Sequence, residues 1–168
     1  MSAVTEPKRV ASPTMEMLRE GVWALRGLNM PYGVAERASP WLAWTEGVEG
    51  GALKTLREQG PVIEKATGPM SRTELGPQHW RLDATGKSLL EAGPVAVDLL
   101  TYGVRVGGKA RVEIAGVADP IFASAICRLA TQRGLDVTAT AAKGLSMGGA
   151  PVRAMRAVPG TDDAAFFA

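Results

Sequence analysis

The stretch from Asp119 to Ala142 constrains the fold more than any other. Asp119-Pro120 supplies a helix cap followed by proline at the first helical position, where a missing N–H costs nothing. Ile121, Phe122, Ala125, Ile126, Leu129 and Ala130 then make a broad apolar face at helical spacing, and Gly134 ends the run. Leu135 to Ala142 follows as a strand carrying Val137, Thr138 and Thr140. Upstream, Val104 and Val106 alternate with Gly103 and Arg105, Gly107-Gly108 makes a turn, and Val112 and Ile114 alternate with Arg111 and Glu113. That pattern predicts a hairpin. A hairpin followed by a strand–helix–strand unit requires a sheet with a helix laid against it.

The N-terminal half reads as helical. Ser12-Pro13 opens a short amphipathic helix through Met15, Leu18, Val22 and Leu25, stopped at Gly27. Val34, Ala38, Trp41 and Leu42 share a face of a second helix, which Pro40 is expected to kink or divide before Gly47, Gly50 and Gly51 end it. A third run, Ala52 to Gln59, closes at Gly60-Pro61. Residues 60–88 are turn-rich, with one short strand over Gln78–Leu82, and Ser88–Leu100 is apolar with a helix starting near Pro94. Gly144–Pro151 reads as a flexible turn and Val152–Val158 as a last strand. The expectation is one α+β domain over residues 12–158, a helical N-terminal half packed on a small C-terminal sheet. Residues 1–11 read as a disordered leader and 159–168 as a tail ending in Phe166-Phe167.

Charge and composition remove several function classes. Nineteen Lys and Arg against seventeen Asp and Glu leave a net charge of +2, too balanced and too scattered for a nucleic-acid surface. No apolar run has the length of a signal peptide core or of a membrane span, so a cytoplasmic location without membrane contact is expected. Cys127 is the only cysteine, which excludes an intrachain disulfide, and its place in the apolar helix marks a structural thiol. One His and one Cys far apart do not make a metal centre. Thr85-Gly86-Lys87-Ser88 resembles the end of a phosphate-binding loop, but Arg81 stands where its first glycine belongs. No GxGxxG fingerprint occurs, so no cofactor is expected.

The candidate chemistry gathers in the second helix and beside His79. Glu36 and His79 are the candidate acid and base, His79 being the one side chain whose ordinary pKa lies near neutrality. Tyr32, Gly33, Arg37, Trp41, Trp80 and Asp98 are candidate ligand-binding residues: aromatic rings able to wall a pocket, a glycine and an arginine beside Glu36, and an aspartate that needs a partner.

The run Pro31-Tyr32-Gly33-Val34-Ala35-Glu36 resembles the aromatic-Gly-x-Ala-Glu segment of a bacterial domain-of-unknown-function family, family 3726. Ala92-Gly93-Pro94-Val95-Ala96-Val97-Asp98 is similar to a second pattern of that family, and the Asp119-Pro120 helix with its following strand to a third. Pro40 and Arg37 depart from its pattern. The resemblance implies no particular activity and draws attention to Tyr32, Gly33, Glu36 and Asp98.

Two functions of different class follow. One is a small-molecule-binding or accessory subunit acting beside a partner metabolic enzyme. The other is a cofactor-independent enzyme in which Glu36, with His79 or Tyr32, moves protons on a small polar substrate. The second requires Glu36 and His79 to reach a common point. A structural homo-oligomer built on the edge of the Val104–Ile114 hairpin is a third reading.

Overall fold

A computed structural model describes residues 14–140 and 145–151. The expected leader, the Ser12-Pro13 cap, the end of the 135–142 strand, the 152–158 strand and the tail lie outside the described residues. Three helices come first: α1 (Thr14–Gly27), α2 (Tyr32–Val48) and α3 (Ala52–Lys65). Next come β1 (Ser71–Gly76), β2 (His79–Asp83), α4 (Leu89–Gly107) and β3 (Ala110–Ala115). A 3-10 turn at Pro120–Phe122 leads into α5 (Ala123–Gln132), and β4 (Leu135–Thr140) and β5 (Leu145–Pro151) complete the set. The molecule is α+β.

The sheet order is β1-β2-β3-β5-β4. β1 and β2 form an antiparallel hairpin, and β2 runs parallel to β3 with α4 as the crossover between them. β5 is antiparallel to both β3 and β4 and lies between them. Trp80, Leu82, Val112, Ile114, Leu145 and Met147 alternate onto one face and are buried under helices. α4 packs on β2, β3 and β5, and α5 packs on β4. α2 lies over α4 and α5, with α1 and α3 against it, so the helices make two layers on one side of the sheet. The opposite face carries His79, Arg81, Asp83, Arg111, Glu113 and Ser146, and among the described residues no helix covers it.

Several expectations give way. The Val104–Ile114 hairpin does not exist: α4 starts at Leu89, runs through Pro94 and continues to Gly107, so Val104 and Val106 are helical. Three alternating residues cannot distinguish a strand from the end of a helix whose buried side is Val97, Leu100 and Val104. Gly108, at φ 75°, is the left-handed cap of α4, its N–H donating to the Val104 carbonyl at 2.9 Å. β3 is paired on both sides by β2 and β5 and offers no free edge for an oligomer. Pro40 and Pro61 lie inside α2 and α3, which run on as single helices. The turn-rich segment holds a hairpin turned at Pro77-Gln78, where Gln78 takes φ 51° after the proline. Gly144–Pro151 was expected as a flexible turn; from Leu145 it is an interior strand.

Candidate functional site

α2 and α4 cross with one face of each turned to a shared groove. On α2, Val34, Arg37 and Trp41 are three and four residues apart and therefore share a side; on α4, Leu90, Pro94 and Asp98 recur every four. Met70, Leu129 and Arg133 close the ends. The cavity is about 440 Å³, within the size range of small-molecule sites. Its walls are mostly apolar, with Arg37, Glu91, Asp98 and Arg133 as the charged groups.

Local chemistry fixes each of these. Arg37 is held by its Nε, which donates to the Gly33 carbonyl at 2.9 Å. Arg133, just past the end of α5, pairs with the Asp98 carboxylate. Glu91 accepts from Lys87 Nζ at 2.8 Å, both side chains largely buried. Pro94 has no N–H, so the Leu90 carbonyl lacks its helical donor. A second, more open cavity of about 610 Å³ shares Asp98, Leu129 and Arg133 and adds Thr101, Tyr102, Arg105 and Gln132.

Of the residues singled out from the sequence, Arg37, Trp41 and Asp98 meet here. Tyr32, Gly33 and Glu36 are exposed on α2 and do not line the groove. Trp80 is core: it lies under α4, its ring centroid 6.2 Å from that of Tyr102. His79 is on the uncovered face of the sheet, its Nε2 3.0 Å from Glu113 Oε1, and Arg111 reaches the same oxygen at 3.4 Å. Glu36 and His79 are therefore separated by the sheet and the α4 layer, and the shared point that the acid–base enzyme requires is not formed. Arg133, Glu91, Pro94 and Leu129 were not foreseen. The four-residue repeat Leu90, Pro94, Asp98 was the available signal, hidden because Pro94 was read as a helix start.

The Thr85-Gly86-Lys87-Ser88 turn does lie between a strand, β2, and a helix, α4, as a phosphate loop would. Its donors are already engaged. The Gly86 N–H donates to the Gly116 carbonyl at 2.6 Å and that of Lys87 to Ala84 at 3.0 Å. At the head of α4, Leu89 N–H donates to Asp119 Oδ1 at 2.5 Å and Leu90 N–H to Ser88 Oγ at 3.1 Å. Ser88 Oγ also donates to Asp119 Oδ2 at 2.5 Å. Asp119 thus caps α4 from a distance, not the helix it introduces, and occupies the place a phosphate would take. Burial pushes its carboxyl up to about 6, with the bonds from Ser88 and Leu89 acting against that shift. Burial also raises the Cys127 thiol, which disfavours its thiolate form. Among the described residues, no group of three His, Cys, Asp or Glu could hold a metal, and no helix is long and apolar enough to cross a membrane.

Among solved structures, the chain is similar to malate dehydrogenase from Pyrococcus horikoshii OT3. The TM-score is 0.61 at 14% identity, over 80% of this chain and 40% of that one. Malate dehydrogenase from Entamoeba histolytica gives 0.60 at 14% identity, over 78% and 39%. The likeness is one of fold alone. This chain spans about two fifths of the length of those enzymes. No protein-family model and no curated protein matches its sequence.

Proposed function

We propose that this chain is a small-molecule-binding domain that holds its ligand in the groove between α2 and α4 and works beside a separate enzyme. The observation that carries the reading is the groove itself, where an indole, two guanidinium groups and two carboxylates line an apolar trough of ligand size. These groups bind and orient; the acid–base pair expected from the sequence is not among them. The fold corresponds to about two fifths of the malate dehydrogenases it resembles, so in those proteins a unit of this shape is one part of a larger chain.

Native mass spectrometry of the gently purified protein tests this. A small molecule is expected in one-to-one ratio, lost in Trp41→Ala while the far-ultraviolet circular dichroism stays unchanged. Retention of the same molecule by Trp41→Ala and by Arg37→Ala would place the ligand elsewhere and remove the proposal. A larger protein co-purifying in fixed ratio would identify the enzyme it serves.

A further inference from the structure

The charges of the groove point to the kind of ligand, given that the groove is the binding site. Asp98 and Arg133 form an ion pair across the boundary between the two cavities, and both line each of them. Their side chains keep 62% and 43% of their exposure, so solvent screens the pair and little is lost when it opens. Glu91 is committed to Lys87 and stays out of the count. What remains facing a ligand is one carboxylate, Asp98, flanked by two guanidinium groups, Arg37 and Arg133.

We propose that the ligand is a small zwitterion with an apolar side chain, an α-amino acid or a close relative. Its ammonium inserts at Asp98, its carboxylate is taken by Arg133 and Arg37, and its side chain lies on Trp41, Leu90 and Pro94. One exposed ion pair is thereby exchanged for two that the ligand shields from water, and each charge of the protein keeps an opposite partner. A plain organic anion would set its charge beside Asp98. A plain amine would meet two guanidinium groups. An uncharged apolar molecule would cover the ion pair without replacing its hydration.

The test uses L-leucine and L-phenylalanine with their deaminated forms, isocaproate and 3-phenylpropionate, and their decarboxylated forms, isoamylamine and phenethylamine. Affinity is read by calorimetry and location by the Trp41 indole N–H resonance. At least one amino acid is expected to move that resonance and to bind at least tenfold more tightly than both of its truncated forms. Asp98→Asn should erase the preference over the deaminated acid, and Arg133→Gln the preference over the amine. Equal or tighter binding of the deaminated acids at Trp41 would overturn the zwitterion while leaving the groove as the site. No shift with any of the six would also overturn it, and the retained-ligand experiment would then decide the groove separately.

Discussion

Asp119 carries a carboxylate where the fold is dry, and its two oxygens hold the first turn of α4 to the strand–helix connection. Asp119→Ala leaves the Ser88 hydroxyl and the Leu89 N–H without their acceptor, a loss of about 1–3 kcal/mol measurable by urea unfolding at pH 7. Its pH dependence runs opposite to that of a salt-bridged acid. The carboxyl titrates near 6 in the folded chain against 3.8 as its ordinary value, so between those two values the folded state holds more protons than the unfolded. The contribution of this group is therefore greatest at low pH and falls as pH rises through that window. Lowering the pH from 7 to 5 should raise the stability of the native chain relative to Asp119→Asn, which keeps an acceptor for Leu89 and does not titrate. The sequence marks Asp119 as a cap; that it caps another helix depends on a contact 30 residues away. Asp98, a carboxylate in need of a partner, has one in Arg133, while of the two candidate tryptophans Trp41 lines the groove and Trp80 is core.

At the scale of elements, the misreadings share a cause. Pro40, Pro61 and Pro94 each remove one helical hydrogen bond, and each was read as a boundary or kink. Burial on both sides of the proline outweighs the lost bond: α3 buries Leu56, Gly60 and Ile63 across Pro61, and α4 buries Leu90, Val97 and Leu100 across Pro94. Pro61 is exposed, so Pro61→Ala should stabilise the protein by about 1–3 kcal/mol, seen as a higher unfolding midpoint. The strand–helix–strand unit was legible because its opening proline, apolar face and glycine stop agree with one another, although the Asp119 side chain caps α4 instead. Close packing of α4 was not, because it depends on glycines that look like breakers. A Cβ on Gly103 would stand 2.7 Å from Ala110 Cβ and 2.8 Å from the Trp80 ring, neither of which can move freely. Gly103→Ala should therefore cost about 1–3 kcal/mol by thermal unfolding. Gly27→Ala, with nothing within 4 Å, should be neutral or slightly stabilising and serves as its control.

Over the whole molecule, the sequence yields the class of fold and three of the residues lining the groove, but not the groove. Its walls come from α2, α4 and the end of α5, and only the packing of the two helical layers brings Arg37 and Trp41 opposite Asp98 and Arg133. Spacing along one helix cannot report which face of another it meets. The same limit hid the separation of Glu36 from His79, which follows from strand alternation once α4 is known to lie on the Trp80 side. One feature of the sheet bears on how the chain is made. β5 is the last of the described strands in sequence, yet it sits between β3 and β4. On the ribosome, β3 and β4 must wait with open edges until residues 145–151 have left the exit tunnel, because no earlier segment can fill the slot. Chains stalled with only residues up to 140 outside the tunnel should be cut readily by protease, and chains stalled with residue 151 clear of it should resist. Synthesis thus has a commitment point once β5 is free, before which the nascent chain carries the unpaired strand edges that make folding intermediates aggregation-prone.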